Sequence, residues 1–380
     1  MNVLYLFVGG ALPDTIVQKH YVCSAAAAQW QLNFAKALAL EKRANVICLS
    51  YVPVARDERC QDTYLVEENG VIIRSISRKL TFIGSLTYVW NILRHIVSID
   101  GRPVCVFCYN PLLWTATFAY FAGMWWRSPV ITIVAELEDN NKNEISCTLR
   151  RLLENMLSYI GNSFIALSPG IASRLPANSA IRIFCGLADQ KALRAPQTKY
   201  LGRIRFVYAG ALKEEVGARD FLEAAKILLG KGADCEFHLF GRGPLLSLAY
   251  ACASERFTVH GFVSEAELYN FLGQDAVGVN PRPSRFRLNR YNVPYKVITY
   301  LSRGVVTITT VTAGLPSELS EVCIPASEGA DGLVHAMQQV LNMSKNELEV
   351  FSQIGRERIK QTGSPIALGK IVSSLLNRPS

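Results

Sequence analysis

The strongest constraint on this chain is an alternation that runs its course twice: short apolar stretches of strand length, separated by stretches with helical spacing. In the first half, residues 3–8, 45–51, 71–76, 104–109, 130–135 and 163–168 read as strands. Between the first two, Trp30, Phe34, Ala37 and Leu38 recur at helical spacing after Ser24, a residue suited to cap a helix. Strands alternating with helices predict a mostly parallel sheet. The polar residues 195–203 interrupt the pattern and read as a linker. It then resets, with strands predicted at 204–209, 235–240, 258–260, 276–280 and 305–310 and helices at 220–229, 265–272 and 295–302. The last part, 345–376, predicts two helices joined at Gly363-Ser364-Pro365. A chain of 380 residues exceeds one ordinary core and suits two α/β domains of about 100–200 residues each. The expected division is 1–194 for a first lobe, 204–344 for a second, and 345–380 for C-terminal helices that pack back toward the first.

Half of the residues are hydrophobic and no low-complexity run or fixed-period repeat occurs, so a folded protein is expected throughout. Forty Lys and Arg against 31 Asp and Glu leave a net charge of +9. This favours nucleotide phosphates, acidic headgroups or nucleic acid, and charge alone does not choose among them. The ten cysteines are scattered, and Met1-Asn2-Val3-Leu4-Tyr5 lacks the basic start of a secretory signal, so a cytoplasmic setting is expected. Cys105 and Cys108 form a CxxC, but they lie in an apolar run that reads as a buried strand rather than a metal site. Residues 104–126 carry no charge over about 20 residues, the length of a membrane span. Asn110-Pro111 divides them into a strand and a helix, which makes a βαβ unit the expectation, with Trp125-Trp126-Arg127 suited to a bilayer interface.

Glycine turns follow three strands. Gly9-Gly10 ends the first, Gly210 opens a turn that reaches Gly217, and Gly241-Arg242-Gly243-Pro244 follows the strand 235–240. Such turns bring backbone N–H groups and a helix N-terminus toward phosphate, and they also occur where nothing binds. Arg242 adds a guanidinium suited to an anion. The most informative stretch is 280–304, with six basic residues and no acidic one. It starts at the carboxyl end of a strand, where open α/β sheets bind ligands, and runs into a helix, so Arg282 and Lys296 are placed to meet a diphosphate. After the strand 130–135 come Glu136, Glu138 and Asp139. Glu136 is the candidate to accept a proton from an acceptor hydroxyl, whereas Glu138 and Asp139 read as solvated or capping acids. His238 and His260 lie in strand-like runs and read as core or strand-end residues.

Together, Tyr208-Ala-Gly210, His238-Leu-Phe-Gly-Arg-Gly-Pro244, Val259-His-Gly-Phe262, Asn280-Pro-Arg282, Asn292-Val-Pro-Tyr-Lys296, Thr299-Tyr-Leu-Ser-Arg-Gly304 and Ala313-Gly-Leu-Pro316 resemble the C-terminal half of glycosyltransferase family 4. The resemblance is nearest to bacterial enzymes of surface-polysaccharide assembly, and it is specific over 204–327. It implies an α/β protein of the GT-B class: two Rossmann-like lobes with parallel sheets facing a central cleft, the sugar nucleotide on the second lobe and the acceptor on the first. It also implies hexosyltransferase-type transfer with retention, without metal or cofactor, from a nucleotide diphosphate sugar to a saccharide or lipid-linked saccharide. The implied setting is peripheral, at the inner, anionic face of the cytoplasmic membrane, with no nucleic-acid partner. Gly210, Lys213, Gly241, Arg242, Arg282, Lys296 and Thr299 are the expected donor-binding residues, and Glu136 the expected catalytic one.

The chain departs from the family in its glycine loop, where Ala211 and Val216 stand in place of Arg and Lys and leave Lys213 as the substitute. Tyr291 and Thr299 stand where many members carry two glutamates eight positions apart; Thr299 keeps a hydroxyl for a ribose. Tyr295 replaces the usual Ser before Lys296. These departures keep open a second reading, a non-catalytic GT-B protein that partners an active transferase. A dinucleotide-dependent oxidoreductase ranks last, because no GxGxxG follows the first strand.

Overall fold

The computed structural model describes residues 3–13, 16, 25–54, 63–68, 70–79, 82–111, 113–135, 163–188, 190–286, 289 and 291–377. In chain order, the first elements are β1 (Leu4–Gly9), α1 (Ala25–Lys42), β2 (Asn45–Val54), β3 (Thr63–Glu68), β4 (Val71–Lys79), α2 (Phe82–Val97), β5 (Cys105–Tyr109), α3 (Leu113–Trp126), β6 (Val130–Val134), β7 (Ser163–Ala166) and β8 (Ala180–Ile183). They are followed by β9 (Ile204–Ala209), α4 (Ala218–Gly230), β10 (Cys235–Phe240), α5 (Leu246–Ala251), β11 (Phe257–Gly261), α6 (Glu265–Phe271), β12 (Ala276–Asn280) and α7 (Tyr295–Arg303). Last come β13 (Val306–Thr310), β14 (Ile324–Ala326), α8 (Gly329–Leu341), α9 (Lys345–Thr362) and α10 (Pro365–Leu376).

The chain divides into two compact units. One comprises 1–167, 171–187 and 364–380, the other 168–170 and 188–363. The two helices expected to form a single tail are therefore separated: α9 belongs to the second unit and α10 to the first.

The first unit is built on an eight-stranded sheet of order β3-β4-β2-β1-β5-β6-β7-β8, parallel except for the antiparallel edge pair β3-β4. Side chains alternate across it. Phe7, Cys48, Cys105 and Phe107 pack with α1 and α10, whereas Leu6, Val8, Val106 and Cys108 pack with α2 and α3. The two cysteines of the CxxC thus lie on opposite faces of one strand, as a period of two requires for positions three apart. Both thiols are free, and burial pushes the Cys108 thiol up to about 12. Among the described residues no helix is long and apolar enough to cross a membrane.

The second unit carries a six-stranded parallel sheet of order β11-β10-β9-β12-β13-β14. Its order reverses between β9 and β12, the topological switch point of a doubly wound sheet. The pairing of these two strands covers only Ala276–Gly278 against Arg205–Val207. Beyond it, the Tyr300 hydroxyl from α7 accepts from Ala209 N at 3.0 Å and donates to Val207 O at 3.3 Å. Gly278 makes this possible, because a Cβ there would lie 2.3 Å from the Tyr300 ring. At its far end α7 closes on Gly304, whose φ of +72° is left-handed and whose N–H returns to Leu301 O.

Candidate functional site

At the carboxyl ends of β9 and β12 the structure brings together Tyr208, Gly210, Arg282 and Lys296, all within the second unit. Lys296 is the second residue of α7, which starts after Pro294 with no side-chain cap. Its Nζ is buried, lies 3.8 Å from the centre of the Tyr208 ring, and has no hydrogen-bond partner. A Cβ on Gly210 would stand 3.3 Å from that Nζ, so the glycine leaves room beside the ammonium. The ring is held by its hydroxyl, which donates to Ala211 O at 2.6 Å. Arg282 follows Asn280-Pro281 out of β12, and its Nε is likewise buried without a partner.

Two cations in one buried place, with no carboxylate paired to either among the described residues, make a costly arrangement. Burial, reinforced by the Arg282 charge, pushes Lys296 well below the usual lysine range. Burial also lowers Arg282, partly opposed by Tyr208. The amide oxygens of Asn280 and Asn292 are buried acceptors without partners, although Asn280 Nδ2 donates to Thr309 Oγ1 at 2.8 Å. Lys296 and Arg282 thus suit an anion, and the Asn280 oxygen at the end of β12 offers an acceptor to a hydroxyl or N–H group.

The loop carrying Arg282 is fixed from several sides. Gly217, with φ +79°, lets Pro281 O approach so closely that a Cβ there would lie 1.8 Å from it. Asn289 Nδ2 donates to Pro283 O at 2.8 Å and to Glu215 O at 2.6 Å. Ser284 N donates to Glu328 Oε1 at 2.9 Å.

The other expected donor-binding residues fare differently. Gly210 N–H donates to Phe240 O and Gly241 N–H to Gly261 O, so neither amide is offered to phosphate as the turn motif suggested. The glycines serve close approach instead: a Cβ on Gly241 would lie 1.8 Å from Gly210 O. Lys213 is exposed and opens a short 3-10 turn. Arg242 is exposed and lies over the Phe262 ring, 5.0 Å from its centre. The Thr299 hydroxyl donates to Tyr295 O within its own helix at 3.3 Å. Glu136, Glu138 and Asp139 lie outside the described residues. His238 is buried on β10, its Nδ1 3.0 Å from His260 Nε2, and burial pushes it down to about 4. Sequence reasoning missed the Tyr208 ring as part of the site, and it missed the Tyr300 hydroxyl that ties α7 to β9, for which Gly278, a glycine inside a strand, was the available signal.

Residues 203–343 match the family model described as glycosyl transferases group 1. Solved structures match the chain from end to end. A UDP-forming α,α-trehalose-phosphate synthase from Burkholderia xenovorans, in complex with glucose-6-phosphate, aligns at 11% identity over 98% of this chain and 100% of its own, with a TM-score of 0.68. An E. coli trehalose-6-phosphate structure bound with UDP-2-fluoro glucose aligns at 10% identity over 99% of each chain, TM-score 0.68. Anabaena HepE in complex with UDP aligns at 10% identity over 99% of each, TM-score 0.63. The fold is GT-B. The resemblance read from the sequence motifs is borne out over residues 203–343 by the family model, and the solved structures share the fold over the whole chain. No curated protein matches the chain.

Proposed function

We propose that this chain is a glycosyltransferase that transfers a hexosyl unit, with retention, from a nucleotide diphosphate sugar to a saccharide or lipid-linked saccharide in bacterial surface-polysaccharide synthesis. In this reading it works at the inner face of the cytoplasmic membrane, residues 204–344 bind the donor and 1–194 the acceptor. The observation that carries it is the pair of buried, unpartnered cations at the β9/β12 switch point. A diphosphate would supply the missing counter-charge. As the glycosidic bond breaks, the leaving diphosphate gains negative charge, and fixed cations in a dry place stabilise that charge more than they stabilise the bound donor. Lys296 would hold a phosphate oxygen over the Tyr208 ring and Arg282 would meet the same group, with the Asn280 oxygen accepting from a hydroxyl. Lys213 and Arg242 are exposed enough to close on a bound donor from solvent, and Glu136 is the proposed base on the acceptor side. The reaction in this form uses no cofactor and no metal.

A non-catalytic GT-B partner protein is the second reading. It is favoured by Tyr291 and Thr299, where no carboxylate stands and the Thr299 hydroxyl is already engaged. Calorimetric titration with UDP and other nucleoside diphosphates, followed by turnover assays with a panel of sugar nucleotides, separates the readings. Lys296→Ala should weaken diphosphate binding about 10- to 100-fold, the worth of one charge-assisted hydrogen bond of about 1.5–3 kcal/mol. Unchanged affinity would remove Lys296 from the site. Tight donor binding without turnover across donors and lipid-linked acceptors would leave the partner reading.

A further inference from the structure

We infer that the outer faces of α2 and α3, in the first unit, form a docking surface for an anionic bilayer. This rests on the proposed function only for the membrane setting, not for the chemistry.

The two helices lie side by side on one face of the sheet and bury Tyr88, Ile92, Ile96, Phe118, Ala119 and Ala122 against it. Their opposite faces carry large apolar groups. On α2, Trp90 is 69% exposed and Val97 55%, with exposed Arg94 between them at helical spacing. On α3, Met124 is 73% exposed and Trp125 56%, and Phe121 stacks on Trp125 with ring centres 6.1 Å apart. Leaving two tryptophans and a methionine in water is unfavourable, and their exposure on two helices that touch each other marks a surface that something covers.

Charge selects the occupant. Neither helix contains an acidic residue, and from 82 to 127 the only one is Asp100, against Arg94, Arg102 and Arg127. Arg102 and Arg127 sit together, the Arg102 guanidinium donating to Arg127 O. From β4, Arg74 reaches Ser98 at the end of α2. The positive charge is dense enough to act on its neighbours: after burial, the larger cause, Arg74 and Arg94 both lower His95. Tryptophan and methionine flanked by arginines, without acids, match the boundary between acyl chains and phosphate headgroups, where indoles settle and guanidiniums reach phosphate. As no described helix is long and apolar enough to span, the contact lies along the surface.

The test is co-sedimentation of the full chain with vesicles of phosphatidylglycerol and phosphatidylcholine, and of phosphatidylcholine alone, at rising salt. The expected result is binding to the anionic vesicles that falls at least tenfold as salt rises, little binding to the neutral ones, and quenching of indole fluorescence by brominated acyl chains. Trp90→Ser with Trp125→Ser, and separately Arg94→Gln with Arg127→Gln, should each lower anionic-vesicle binding at least tenfold. UDP affinity of both double variants, read by calorimetry, should stay at the parent value and certify their folding. Lys296→Ala should leave vesicle binding unchanged. Equal binding to neutral vesicles, no vesicle binding by a chain that still binds UDP, unchanged binding in both double variants, or self-association in free solution that the tryptophan variant abolishes would each overturn the inference. A chain that binds vesicles as described but binds no nucleotide would instead overturn the donor-site reading.

Discussion

At the scale of single residues, the site is defined by an electrostatic imbalance. Lys296 Nζ has an aromatic face beneath it and a guanidinium nearby, but no acceptor. Its depressed pKa has a definite consequence for stability. Between that pKa and the ordinary lysine value of 10.5, the unfolded chain binds a proton at Lys296 that the folded chain does not. Stability from this group therefore rises with pH across that window and is lost as pH falls through it. A bound diphosphate reverses the balance, because an adjacent anion favours the ammonium. At a pH inside that window, nucleoside diphosphate binding should thus take up a proton, seen as a binding enthalpy that varies with the ionisation enthalpy of the buffer. In Lys296→Met the variation should diminish, and the ligand-free protein should melt higher, by an amount on the order of 1–2 kcal/mol, because no orphan amine remains to be buried. A buffer-independent enthalpy in the parent would show that Lys296 stays charged in the free protein. The importance of Lys296 and Arg282 was legible in the sequence as basic residues in a run without acids. Their burial was not, since it depends on where α7 lays its first turn against β9.

Among elements, the site depends on how closely three backbones approach at the switch point. The sequence pattern located β9, β10, β12 and α7, because apolar period and flanking glycines agree there. It missed β3, an antiparallel edge strand with two acids at its end, and β8 and β14, of four and three residues, too short to show a period. It also assigned the glycine turns to phosphate. In the structure their amides are spent on neighbouring turns, and the absence of a side chain is what matters. Gly217 makes this testable. Its φ of +79° disfavours any other residue, and a Cβ would drive into Pro281 O at the root of the Arg282 loop. Gly217→Ala should cost about 1–3 kcal/mol from the left-handed backbone alone, with more from the collision. It should also weaken diphosphate binding through the displaced loop, although residue 217 itself has no side chain to lose. Denaturant melts and calorimetry on the same sample check both effects, and loss of stability with unchanged affinity would separate the turn from the site.

For the whole molecule, the chain path is the feature that composition and periodicity conveyed least. The sequence showed two helices at the end and a joint at Gly363-Ser364-Pro365, but not that this joint is where the chain passes from one unit to the other. The local chemistry explains the new start: Ser364 caps α10 by accepting from Ala367 N at 3.1 Å, and Pro365 takes the first helical position. The helix then buries Leu368, Val372 and Leu375 in the core that contains α1, Phe7 and Phe107. Gly369 lies so near Glu41 that a Cβ would meet its Cγ at 2.5 Å, and Lys42 Nζ donates to Ser373 Oγ at 2.8 Å. A segment remote in sequence is thus part of the first sheet's packing, and damage to it should appear there. Leu368→Ala should cost about 2–5 kcal/mol, the range for truncating a fully buried leucine. Hydrogen exchange followed by mass spectrometry should show protection falling in β1, β2 and β5 before it falls in β9, β10 and β12. Protection lost first in the second sheet, or equally in both, would mean that the last helix stabilises the molecule by some route other than the core in which it is buried.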